Sequence, residues 1–194
     1  PDKISAGYQT QGLSAREDFA DIINSMSADS IAANIQSLQD FVTRYAFAPN
    51  RREVASFIAS KFISYGYEYT FLDSFYWNGT FQYNVISFLE GQNFPENYLV
   101  IGGHHDSIVN NGDAMIAAPG ADDNASAVAA TLETARVIAL NNYLPRNSII
   151  FATFAAEELG LIGSHVMAQN ILQADINIKL MINNDMIAHN TMPS

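Results

Sequence analysis

Cysteine is absent from the 194 residues. Disulfides, thiolate metal ligands and thiol nucleophiles are therefore excluded, while the compartment is left open. Basic residues are scarce: Lys and Arg number 9 against 20 Asp and Glu, for a formal net charge of -11. So acidic a balance argues against nucleic acid, whose phosphates are bound by Lys and Arg. Part of it is what a divalent-metal site looks like when written as carboxylates. Long apolar runs are missing as well, and no stretch approaches the ~20 residues needed to cross a bilayer. Neither an initiator Met nor a signal-like segment stands at Pro1, which suggests a trimmed or mature chain. Hydrophobic residues do make up 48% and charged residues 15%, a globular composition. The length suits one domain with a sizeable core.

Residues 1–25 are polar and weakly periodic, and read as an arm with one short helix. Ile31, Ile35, Leu38, Val42 and Tyr45 then recur at helical spacing until Pro49 and Asn50 break the pattern. Asn50 and Glu53 suggest a cap pair for a second helix, striped by Val54, Ile58, Phe62 and Tyr65 and ended by Gly66. The period changes at Tyr67. Two runs rich in aromatic and β-branched residues flank Trp77-Asn78-Gly79, which predicts a β-hairpin. A strand over 98–103, a loop over 107–119 and a helix carrying Val128, Leu132, Ala135 and Ala139 follow. A strand over 148–155, a short helix over 160–170 and a strand over 178–183 complete the pattern. It is that of an α/β protein.

Four polar clusters stand at the edges of these apolar elements: His104-His105-Asp106, Asp122-Asp123-Asn124, Glu157-Glu158 and Asp185. Such edges are where α/β sheets place ligands. On an extended chain His104 and Asp106 share a face, and a metal-bound imidazole commonly gives its second N–H to a carboxylate. Each cluster alone also has an ordinary explanation. The histidines suit a core edge, Asp122-Asp123 a helix start with a solvated neighbour, Glu157-Glu158 a charged strand exit, and Asp185 a loop acid. Adjacent carboxylates, however, repel unless something positive sits beside them. Taken together, the clusters can converge on one crevice holding a pair of divalent ions about 3.5–4 Å apart. Oxygen and imidazole donors without thiolate suit zinc.

The stretches Gly102-Gly103-His104-His105-Asp106-Ser107, Ala118 to Ser126, Ala155 to Ser164 and Asn184-Asp185-Met186 resemble, in order and approximate spacing, the motifs of the co-catalytic dizinc aminopeptidases. That family includes secreted bacterial leucyl aminopeptidases, with glutamate carboxypeptidase and glutaminyl cyclase as relatives. The resemblance runs from about residue 24 onward and includes Thr43-Arg44-Tyr45. It implies a three-layer αβα fold of the zinc-exopeptidase type around a mixed, mostly parallel sheet. Residues 1–25 would be the arm, and 26–194 the front two-thirds of one catalytic domain. It also implies roles for single residues. His104 and Asp185 would bind one zinc, Glu158 the other, and Asp123 would bridge both, followed by a cis peptide. Asp106 would orient His104, and Glu157 would be the general base.

The implied activity is removal of N-terminal residues from peptides, in an extracellular or periplasmic setting. A carboxypeptidase, a glutaminyl cyclase or a non-catalytic interaction domain on the same fold are the alternatives, although Asp122-Asp123-Asn124 speaks against the cyclase. Two departures from the family pattern stand out. A fifth ligand, a His well beyond Asp185, has no counterpart, since His189 is too close and His165 lies in the short helix. The chain alone is thus expected to hold the second zinc weakly and to show little activity. An open sheet edge would invite a separate C-terminal fragment or self-association. The other departure is Ala127 where the family usually has Gly, which is harmless if the residue is already helical.

Overall fold

The structure, a computed structural model, describes residues 14–189. The first 13 residues of the expected arm lie outside them; its remainder forms helix α1 (Ser14–Asn24). Helices α2 (Ala28–Gln39) and α3 (Arg51–Ser64) follow. Next come strands β1 (Thr70–Trp77), β2 (Thr80–Leu89) and β3 (Phe94–His104). Helix α4 (Ala127–Leu140), strand β4 (Asn147–Phe154), helix α5 (Ile162–Gln173) and strand β5 (Asn177–Asn183) complete the order.

The five strands form one sheet in the order β1-β2-β4-β3-β5. The β1–β2 and β2–β4 pairs are antiparallel, whereas β3 runs parallel to both β4 and β5. The sheet is therefore mixed, and its parallel part is the part that leads to the polar clusters. The predicted hairpin turns at Asn78 (φ 44°) and Gly79 (φ 83°). Two consecutive left-handed residues make the turn that matches strand twist, which is why Asn-Gly is favoured there.

Burial divides the sheet between two cores. Ile149 and Phe151 of β4 join Val85 of β2 beneath Leu38, Val54, Ile58, Phe62, Val128 and Leu132 of helices α2, α3 and α4. Ile150 and Ala152, pointing the other way, pack with Val100, Ile86 and Met167 of α5. A strand apolar on both faces belongs inside a three-layer αβα stack, and β4 sits there. Each fully buried Leu or Phe contributes roughly 2–3 kcal/mol. A groove of about 640 Å³ remains between α5 and the sheet, lined by Phe71, Phe88, Met167 and Ile171 among others.

Three local expectations are corrected. The first stripe does not stay helical to Tyr45. Helix α2 stops at Gln39, Val42 takes φ 67° and is 56% exposed, and Tyr45 packs edge-on to Phe47 outside the helix. Asn50 makes no capping bond; its amide donates to the carbonyls of Phe41 and Thr43 and closes the turn between the helices. Strand β5 looks buried in sequence, yet Leu180, Met181 and Ile182 are 53%, 44% and 47% exposed among the described residues. Ala127 is helical (φ -67°, ψ -39°), so it carries its methyl without backbone penalty.

Candidate metal centre

The register of β4, β3 and β5 gathers the clusters. His104 is the last residue of β3, opposite Phe154, the last of β4. Glu157 and Glu158 follow that end of β4. On the other side Gly102 pairs with Asn183, so Asp185 leaves β5 beside the exit of β3. Asp123 arrives from the kinked turn Ala121–Ser126 that leads into α4, and its peptide to Asn124 is cis, as the resemblance implies. Two glycines make the approach possible. A Cβ on Gly103 would lie 2.7 Å from the Asn184 carbonyl and 2.8 Å from the Ala127 methyl, and Gly120 is left-handed at φ 48° against Asp123 and Ser107.

Around the buried Nε2 of His104 stand Asp123 Oδ1 at 3.2 Å, Glu157 Oε2 at 3.6 Å and Asp185 Oδ1 at 3.7 Å. His104, Asp123 and Asp185 offer donor atoms all within 4.8 Å of one another. Donors about 2.1 Å from a tetrahedral ion lie ~3.4 Å apart, so these spacings suit zinc. Glu157 reaches the same nitrogen but stays outside that group. Glu158 is also outside it, and its Oε1 is buried without a hydrogen bond. An orphaned buried carboxylate oxygen is costly unless a cation answers it. The donor set and this orphan both fit a bound divalent metal. His165 and His189 are exposed and belong to no metal-sized group among the described residues.

The charges press on one another. Burial opposes a charge on His104, but the Asp106 carboxylate, Glu157 and Asp185 outweigh it and raise its pKa to about 9. Glu158 is pushed up to about 7 by burial and then by Asp123. Burial also raises Glu157. His105 points away, into the sheet, where its Nδ1 meets Thr153 Oγ1 at 3.0 Å; burial lowers it to about 4 and keeps it neutral. Asp106, 2% exposed, stands 3.5 Å from His104 Nδ1 and accepts from the N–H groups of Glu157 and Glu158.

Several residues that hold this arrangement were not singled out as site residues in the sequence. Buried Arg44 donates to the carbonyls of Leu38, His105, Pro119 and Gly120 and so ties the β3 exit to the loop before Asp123. Asn84 accepts from Ala155 N–H and donates to the Gly163 carbonyl, bracing the turn that presents Glu157 and Glu158. Ser107 accepts from Arg44 N–H and donates to the Ala118 carbonyl. Arg44 and Ser107 stood in stretches matched by the resemblance; Asn84 did not.

A family model described as peptidase family M28 matches residues 84–193. A probable zinc metalloprotease of Pyrenophora tritici-repentis is 33% identical over 89% of this chain and 44% of its own length. A probable aminopeptidase of Saccharomyces cerevisiae is 28% identical over 93% of this chain and 50% of its own. Among solved structures, LapB of Legionella pneumophila superposes with a TM-score of 0.73 at 27% identity, over 86% of this chain and 45% of that one. A Zn-dependent exopeptidase of Parabacteroides distasonis, at 22% identity and a TM-score of 0.71, shares the fold. The chain thus spans half or less of the curated relatives named here.

Proposed function

The chain belongs to peptidase family M28, and on that premise we propose that it carries the metal-binding part of a zinc-dependent aminopeptidase site. One observation carries the reading. Three side chains from separate segments, His104, Asp123 and Asp185, meet within 4.8 Å, while Glu157 waits beside them uncommitted. In this reading His104, Asp123 and Asp185 would hold one zinc, and Glu158, with Asp123, would supply ligands to a second. Bound zinc would polarise the scissile carbonyl and bring the pKa of water toward neutrality. Glu157 accepts a proton from the attacking water and returns it to the departing amine, which requires a carboxylate free of metal. Asp106 holds His104 through Nδ1 and fixes the backbone of both glutamates, so base and ligand keep their spacing. The substrates are peptides with a free N-terminus. The resemblance to secreted enzymes extends the proposal to an extracellular or periplasmic location.

Metal content and turnover test this together. Glu157→Gln is expected to abolish whatever hydrolysis of aminoacyl arylamides the wild-type chain shows, while keeping the wild-type zinc content by elemental analysis. Loss of that zinc in the variant would mean that Glu157 is a ligand and the roles are reversed. Cleavage only of N-blocked peptides would favour a carboxypeptidase.

A further inference from the structure

The segment carrying Asp185 is fastened to the segment carrying Asp123 by side chains that the proposed chemistry leaves unused. Asn124 Nδ2 donates to the carbonyl of Asn184 at 3.2 Å, and Asn124 Oδ1 accepts from the N–H of Met186 at 3.3 Å. One carboxamide therefore brackets Asp185, gripping the residue before it and the residue after it. The same Oδ1 accepts from Ala127 N–H at 3.3 Å, at the start of α4. The Ser126 hydroxyl accepts from Ile187 N–H at 3.2 Å and donates to the Asp122 carbonyl at 2.7 Å. Asp122 Oδ1 accepts from Ala188 N–H at 2.9 Å. Asn124 and Ser126 are 0% and 1% exposed, so their side chains are shielded from water, whereas the Asp122–Ala188 bond is exposed.

We propose that Asn124 is a positioning residue for the metal group, setting the distance between the Asp123 and Asp185 carboxylates. The inference rests on the reading of His104, Asp123 and Asp185 as metal ligands. Both carboxylates are about half exposed, at 43% and 47%, so packing alone does not hold them. Two like charges from separate segments drift apart unless their backbones are pinned. Asn124 adjoins Asp123 in the chain and grips both neighbours of Asp185, so a single rigid amide spans the pair. A carboxamide offers a donor and an acceptor in one plane. Aspartate keeps the acceptor and loses the donor; alanine loses both.

The test compares wild type, Asn124→Ala and Asn124→Asp in the full chain. Zinc affinity is measured by competition with a chromogenic chelator, and the visible spectrum is recorded after cobalt loading. Groups that orient metal ligands are typically worth about 10–100-fold in affinity. Asn124→Ala is expected to weaken one ion by that factor, shift the cobalt bands, and leave the far-ultraviolet circular dichroism unchanged. Asn124→Asp is expected to fall between, since Met186 and Ala127 keep their acceptor. If Asn124→Ala does not fold, Asn124→Asp decides alone. A folded variant with wild-type affinity and wild-type cobalt bands overturns the inference. A wild-type chain that takes up no divalent ion overturns the metal reading beneath it instead.

Discussion

Asp106 Oδ1 accepts a hydrogen bond from the backbone N–H of Glu157 at 3.0 Å. Its other oxygen accepts from Glu158 at 3.3 Å, and Oδ1 also stands 3.5 Å from His104 Nδ1. One buried carboxylate thus joins the exit of β3 to the exit of β4. It is the reason that His104 on one strand keeps step with the two glutamates after the next.

Replacing it should uncouple them. Asp106→Ala is expected to lower zinc affinity by about 10-fold, because the N–H groups of Glu157 and Glu158 lose their acceptor and the carboxylate beside His104 is gone, while the His104 Nδ1 contact to the Asp106 carbonyl at 3.1 Å remains. Asp106→Asn, which retains one carbonyl oxygen, should lose less. Isothermal titration with zinc checks both, alongside urea unfolding to confirm that the metal-free fold persists.

Arg44 is the second fastener. Its buried guanidinium serves four carbonyls, and burial lowers its pKa only to about 10, so it stays charged at neutral pH. Arg44→Met is expected to destabilise the chain by about 3 kcal/mol, the scale seen when one member of a buried polar arrangement is removed. Lysine cannot span four acceptors with one ammonium, so Arg44→Lys should recover little of that. Urea midpoints for the three proteins give the comparison.

These supports also mark the boundary of what the sequence discloses. The candidate site residues announce themselves because His104, Glu157-Glu158 and Asp185 follow apolar runs, although the run before Asp185 is half exposed among the described residues. Their convergence depends on the strand order, which places β3 between β4 and β5 and is set by pairing no local pattern encodes. Asn84 and Asn124 are polar in the sequence, yet both are fully buried, where the backbone of Gly163 and Ala155 meets the one and that of Asn184, Ala127 and Met186 the other. Helical periodicity misled at Val42. The apolar stripe continues there, but the chain has already turned into the loop that delivers Arg44.

Gly103 tests how closely the layers must approach. Its missing Cβ leaves room for the Ala127 methyl and the Asn184 carbonyl, both within 2.8 Å of where that atom would be. Gly103→Ala must push α4 or the β5 exit outward, at a cost of about 1–3 kcal/mol. Because those two elements lead from Asp123 and to Asp185, the substitution should also weaken zinc binding. A loss of stability with unchanged zinc affinity, read by thermal melts with and without metal, would show that the strain is absorbed elsewhere.

The final prediction concerns acid. Glu133, wholly buried on α4, accepts from the Arg136 guanidinium at 2.6 and 2.8 Å and from Ser27 N–H at 2.6 Å, tying α4 to the start of α2. Burial opposes its charge, but Arg136, Ser30 and Ser27 outweigh that and lower its pKa from 4.5 to about 2. A carboxyl depressed in the folded state stabilises fully above its ordinary pKa, and that contribution drains away as pH falls from 4.5 toward 2. Glu133→Gln is therefore expected to cost about 3 kcal/mol at neutral pH, where it breaks a buried ion pair. The gap from wild type should narrow steadily below pH ~4.5. Urea unfolding of both proteins across that range reads the slope directly, and a gap that stays constant with pH would show that the Glu133 carboxyl titrates alike in the folded and unfolded chain.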